Sequence, residues 1–202
     1  MTAKPATRRR PNARGAIVEA AANVIARSGV RGLRVEHVAR EAGISNALLY
    51  YYFADRSALV NAALNHANEQ APSMLDEADG GTGAGEVRRR LIAALMRELD
   101  QAAAVRDNSI VWNEVSASAV FEPALRDGLQ RVTDAWNEKV ARTIASAVAA
   151  GELAADVSPQ DTAELLTGLI EGLSLRWLAG TLPLDRAREL LARALEQHLP
   201  AP

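Results

Sequence analysis

The segment Ala39-Arg40-Glu41-Ala42-Gly43-Ile44-Ser45 constrains this chain most, because it joins two short apolar stretches by a turn with the features of a helix pair. Leu33, Val35, Val38 and Ala39 form one short helical face before it, and Asn46 to Tyr52 opens another behind it. Ala39 is small enough for helices to cross, Gly43 lets the chain turn, and Ile44 is the apolar residue that locks the angle. Ser45 stands where a helix N-cap belongs. This is the pattern of a helix-turn-helix, whose second helix enters the major groove of DNA.

The flanking sequence extends the pair into a head. Asn12 is suited to cap a first helix that carries Ile17, Ala21, Val24 and Ile25 on one face and ends near Ser28, with Gly29 as its left-handed stop. Asp55 is suited to cap a fourth helix through Leu59, Leu64 and Ala67, which Pro72 disfavours continuing. The glycine-rich stretch at residues 79 to 85 lacks G-x-G-x-x-G spacing and a preceding strand, so it reads as a loop. Beyond it, helices are expected at about 86 to 104, 107 to 119, 123 to 150, 160 to 179 and 185 to 198. Pro123 suits a helix start, Gly151 a stop, and Ser158 a cap followed by Pro159 in the first helical position.

Alanine, leucine, arginine and glutamate dominate, so helix is favoured nearly throughout and the fold class reads as all-α, with about nine helices. The expected organisation is a flexible basic arm (1–11), a three-helix DNA-binding head (12–54), a connecting helix (55–71) and a larger helical domain (72–202), to which the resemblance described below assigns ligand binding and dimerisation.

The net charge of −2 hides an asymmetry. Residues 1 to 60 carry ten Lys and Arg against four Asp and Glu, leaving thirteen against twenty-one for the rest. A basic head on an acidic body suits a polyanion partner, since attraction to phosphate is local. Arg8, Arg9, Arg10 and Arg14 could enter a minor groove or hover over phosphates; a solvated tail accounts for them equally well.

Other classes find little support. There is no cysteine for disulfides or thiolate metal sites, no apolar run long enough to span a membrane, and no apolar stretch behind the leading arginines to make a secretory signal. A soluble, cytoplasmic protein is expected. His37, His66 and His198 lie far apart, without H-E-x-x-H, a P-loop or a G-x-S-x-G elbow, so neither enzyme, metal nor cofactor is expected. Asp76-Glu77-Ala78-Asp79 lacks the ligand spacing of a calcium loop and reads as a solvated helix end.

For contact with double-stranded DNA the candidates are Ser45, Asn46, Ala47, Tyr50, Tyr51 and Arg56. Ser45 and Asn46 lie at the start of the reading helix, and Asn suits a bidentate contact with adenine. Tyr50 and Tyr51 can donate to phosphate or lie on a thymine methyl, and Arg56 suits a phosphate clamp. Tyr52 and Phe53 are expected in the core.

The string Gly43-Ile44-Ser45-Asn46-Ala47-Leu48-Leu49-Tyr50-Tyr51-Tyr52-Phe53, followed by Asp55-Arg56-Ser57-Ala58-Leu59, closely resembles the reading head of TetR-family repressors over roughly residues 12 to 60. The later stretches Val111-Trp112-Asn113-Glu114, Phe121-Glu122-Pro123-Ala124-Leu125, Trp136, Ser158-Pro159-Gln160-Asp161 and residues 169 to 177 resemble, more loosely, the BetI-like type of C-terminal domain. The resemblance implies a homodimer whose helical body binds a small molecule, which pushes the two heads out of operator register. Two departures stand out: Arg34 replaces the Ser or Thr that often caps the second helix, so its phosphate contact would be a charge, and Leu48 replaces a small polar reader.

In the body, Trp112, Trp136 and Trp177 are large aromatics that more often fill a core, yet with Asn108, Asn113, Glu114 and Ser116 they could line a pocket. Aromatic faces plus a carboxylate favour a cationic effector, such as a quaternary amine or polyamine. Dimerisation is expected through the last two helices, by Leu166, Leu169, Ile170, Leu173, Leu191 and Leu195, with Gly168 and Gly172 permitting close approach. A two-fold dimer implies a palindromic operator with half-sites one DNA turn apart, about 34 Å. The competing reading is an architectural protein that binds DNA with little sequence preference and ignores small molecules.

Overall fold

Gly29 sets the geometry of the head: its φ of 69° and ψ of 170° break the first helix after Ser28, where the sequence places the stop. In this computed structural model, which describes residues 13 to 70 and 85 to 202, helical assignment resumes past that kink, so α1 spans Ala13–Gly32. The arm residues Arg8, Arg9 and Arg10, the cap Asn12, Pro72, the acidic run at 76 to 79 and most of the glycine-rich loop lie outside the described residues.

The order continues with α2 (Val35–Glu41), α3 (Asn46–Tyr52), α4 (Arg56–Gln70), α5 (Glu86–Arg97), α6 (Ala103–Ala119), a 3-10 turn (Pro123–Leu125), α7 (Arg126–Ala149), α8 (Pro159–Leu178) and α9 (Leu184–His198). The described residues therefore form nine α-helices and no strand, an all-α fold. Gly43, at φ 68°, turns the chain between α2 and α3 as its position predicts. The Asp55 carboxylate accepts the Ala58 N–H at 2.8 Å, capping α4.

Two expectations are corrected at helix ends. The helix expected over 86 to 104 stops at Arg97, because the Asp100 carboxylate accepts the Ala102 N–H at 2.8 Å and α6 starts afresh at Ala103. Arg188 of α9 donates to the freed Leu99 carbonyl at 2.6 Å, which pins the break to the body. Ser158 has extended backbone but makes no side-chain cap bond, so Pro159 alone carries the sequence signal for the start of α8.

Apolar side chains gather in two cores. The first joins α1, α2, α3 and α4 to one face of α6 through Val111, Val115 and Ala119, and reaches Val132 of α7. The second lies among α5, the later part of α7, α8 and α9. It absorbs Leu166, Ile170, Leu173, Leu191 and Leu195, all at most 5 % exposed, with Leu169 partly buried against them. Leu166, Ile170, Leu173, Leu191 and Leu195 are therefore core residues of one chain, since α8 already packs between α7 and α9. The apolar face that α8 leaves open carries Leu165 and Leu175 instead, flanking Gly168 and Gly172.

Candidate nucleic-acid interface and internal cavity

The reading helix is built by its cap and one anchor. Ser45 has extended backbone, and its hydroxyl accepts the Leu48 N–H at 3.2 Å. Leu49, 1 % exposed, fastens α3 to the first core, and the opposite face turns Ser45, Asn46, Ala47, Leu48, Tyr50 and Tyr51 outward. Tyr51 is 81 % exposed. Tyr52, expected inside, is exposed as well and meets Tyr51 edge-on, with centroids 5.3 Å apart. Phe53 takes the inward place alone, with the Arg14 guanidinium 5.6 Å from its ring centroid, so Arg14 belongs to the first turn of α1.

Arg34 is the exposed N-cap residue of α2 and makes no side-chain cap bond. Arg27 and Glu41 pair across α1 and α2, and that hydrogen bond holds the Glu41 carboxyl below its usual range. The Arg56 guanidinium donates to the Val30 carbonyl and, at 3.1 Å, to Glu122, so it is turned into the junction between head and body.

Under that junction lies a cavity of about 80 Å³. Trp112 of α6 and Trp136 of α7 meet edge-on on its wall, centroids 5.6 Å apart at 70°. Asn108 lines it beside them, as expected, and Glu98 and Glu171 supply two carboxylates. The Trp112 indole donates to Glu171 at 3.0 Å. Burial pushes the Glu98 carboxyl up to about 7, against the pull of the Lys139 charge. Burial also raises Glu171, opposed by the Trp112 hydrogen bond.

Four expected lining residues lie elsewhere. Asn113 spends its amide on the Ser109 carbonyl at 2.8 Å and the Ser174 hydroxyl at 3.0 Å. Glu114, on the other side of α6, accepts the Val30 N–H at 2.9 Å. Ser116 is not on the cavity wall, and Trp177 packs against the second core. Glu98 and Glu171 were missed. Glu171 had a readable signal, a lone charge between Ile170 and Leu173 in an apolar run, whereas nothing local distinguishes Glu98 from a surface glutamate.

Among the described residues no group of acidic, His or Cys side chains could hold a metal ion, and no helix is long and apolar enough to cross a membrane. Residues 17–63 match the family model of bacterial regulatory proteins of the tetR family, and residues 87–200 match that of the BetI-type transcriptional repressor C-terminal domain. The HTH-type transcriptional regulator BetI of Escherichia coli is 26% identical over 91% of this chain and 92% of its own length. A Rhodococcus sp. structure described as a TetR-family transcriptional regulator is 44% identical, covering 93% of this chain and 98% of its own, with a TM-score of 0.84. A Saccharomonospora viridis protein described as a transcriptional regulator and solved in complex with choline is 28% identical, covering 93% and 97%, with a TM-score of 0.77.

Proposed function

The chain belongs to the TetR family and is a DNA-binding transcriptional regulator, and from that premise we propose a repressor whose dimer leaves its operator when a small organic cation enters the Trp112–Trp136 cavity. One observation carries the choice of effector: two indoles and the carboxylates of Glu98 and Glu171 line the same small cavity. Aromatic rings attract a cation most when water is excluded, and a carboxylate supplies the counter-charge a buried cation requires. The choline held by the Saccharomonospora relative has that chemistry.

On the DNA side, Asn46, Ala47, Tyr50 and Tyr51 face the major groove, with Ser45 and Arg34 at the adjoining phosphates. The head of residues 12–54 thus reads, the helix of 55–71 connects, and the body of 72–202 binds effector and partner. Dimerisation uses the open face of α8, where Leu165 and Leu175 supply apolar area and Gly168 and Gly172 let the partner helix approach. The operator is palindromic, with half-sites about 34 Å apart.

The test is a gel shift on DNA flanking the protein's own gene, with random competitor, repeated with choline and with other amines. Competitor-resistant binding that a cation releases supports the repressor. Binding that random duplex removes at equal concentration sinks it in favour of an architectural role, because a specific regulator prefers its site by ~10³ or more.

A further inference from the structure

Three consecutive residues of α6 make contacts in different directions. The Trp112 indole donates to Glu171 of α8 on the cavity wall, the Asn113 amide donates to Ser174 of α8, and Glu114 accepts the Val30 N–H of the head. Side chains two positions apart on a helix point about 200° apart, so Trp112 and Glu114 face opposite ways from one rigid rod. We propose that Glu114 is the positioning residue through which occupancy of the cavity reaches the DNA-reading head. This rests on the cavity being the effector site.

The receiving end is a single residue whose two flanking peptide groups are both held. Glu114 takes the Val30 N–H at 2.9 Å, and Arg56 of α4 donates to the Val30 carbonyl while pairing with Glu122 just past α6. The Val30 side chain is fully buried in the first core, so a displacement of its backbone moves the packing of α2 and α3. Gly29 makes the grip possible. A Cβ there would lie 2.6 Å from the Glu114 carboxylate oxygen, and φ is +69°. The contact sits where α1 breaks and the helix-turn-helix begins, the place where a small shift re-aims α3 most.

A cation in the cavity competes with the Trp112 N–H for the Glu171 carboxylate. Once that bond is lost, the Asn113–Ser174 bond remains as the side-chain tie of this stretch to α8, and α6 can turn about it. A shift of about 1 Å would take the Glu114–Val30 contact beyond hydrogen-bond range. The head then loses one side of its hold, and the angle between head and body is no longer set. Coupling therefore passes through α6 to the end of α1, with Arg56 as the α4 counterpart.

The experiment uses the full chain, with choline as the probe and DNA flanking its own gene as the site. Choline affinity is read from tryptophan fluorescence, operator affinity with and without choline by anisotropy, and Val30 amide exchange by NMR without ligand. In the parent protein choline should weaken operator binding by about 10-fold or more, the range of ordinary allosteric coupling. Glu114→Ala should bring that factor below about 2-fold while choline affinity stays within about 2-fold, and Glu114→Gln, which keeps an acceptor oxygen, should restore most of it. Full coupling in Glu114→Ala overturns the proposal. If choline fails to bind the parent, the effector reading is what has failed, and the exchange arm decides the coupling on its own. Trp112→Phe, which keeps an aromatic ring but removes the indole N–H with its fused second ring, should speed Val30 exchange about 5-fold or more and leave α9 amides unchanged. An unmoved Val30 amide refutes the link even if Glu114→Ala does not fold.

Discussion

The reading helix and the cavity use aromatic side chains in opposite ways. On α3, Tyr50 and Tyr51 are 56 % and 81 % exposed, held out by a single buried anchor, Leu49. In the body, Trp112 and Trp136 are half-buried and turn their rings onto the wall of a partly open cavity, each packed against a different hydrophobic core. The first arrangement gives a surface whose partner supplies the other half of every contact. The second gives a seam between two cores, where a ligand alters how the halves of the molecule meet. Reading is therefore a property of one short helix, and sensing is a property of several helices at once.

The sharpest way to break this contrast is to disable one region and look for damage in the other. Asn46→Ala, which removes a base-edge contact, should cost about 1–3 kcal/mol of operator binding, roughly 5- to 150-fold, with relaxed preference at one base pair. Choline binding, followed by tryptophan fluorescence, should be unchanged. A parallel loss of choline affinity would mean that the two regions are not separable.

The converse change is Trp136→Leu, which keeps apolar bulk in the wall and removes one aromatic ring. A desolvated cation–π contact contributes about 2 kcal/mol, so affinity for a quaternary amine should fall roughly 30-fold. Operator binding without effector should be retained. If a neutral isostere of choline bound the parent equally well, charge would not be what the cavity recognises.

The cavity should also respond to pH where the reading helix does not. The Glu98 carboxyl is raised from 4.5 to about 7, so the folded chain keeps a proton that the unfolded chain has lost. Its contribution to stability is present below about 4.5 and is lost as pH rises through about 7. Cation affinity runs the other way, increasing about 10-fold from pH 6 to pH 8 as Glu98 ionises. Calorimetry on Glu98→Gln should find that step gone, with operator binding of the parent nearly flat over the same range.

The same contrast explains what could be read before folding. Helix caps and turns are local, so Ser45, Gly43, Gly29 and Asp55 announced themselves by spacing, and the structure uses each as expected. Ser158 shows the limit of that grammar, since its backbone is poised for a cap its hydroxyl does not make. Cavity residues are assembled by packing across α4 to α8, and sequence spacing cannot say which side of α6 faces which neighbour. That is why Asn108, Trp112 and Trp136 were found while Glu114 was assigned to the wrong side. Arg56 shows a related limit: a cation near a reading helix suits phosphate, but spacing does not reveal its bonds to the Val30 carbonyl and Glu122. Leu166, Leu173, Leu191 and Leu195 turn inward instead, because an apolar stripe does not reveal whether its partner is in the same chain.

The smallest predicted effect separates two roles of one hydroxyl. Ser45 caps α3 through the Leu48 N–H and, in the proposed DNA complex, would also stand at the groove entrance. Loss of a cap costs about 1 kcal/mol of helix stability, so Ser45→Ala should lower operator affinity only about 5-fold if capping is its role. Because a frayed helix reads every sequence less well, that loss should be uniform across operator variants. Ser45→Asp preserves the cap yet places a negative charge beside phosphate. Melting close to that of the parent, combined with weaker DNA binding, would assign Ser45 to both roles. Uniform recovery of both would leave it a cap alone, with reading left to Asn46, Ala47 and the two exposed tyrosines, Tyr50 and Tyr51.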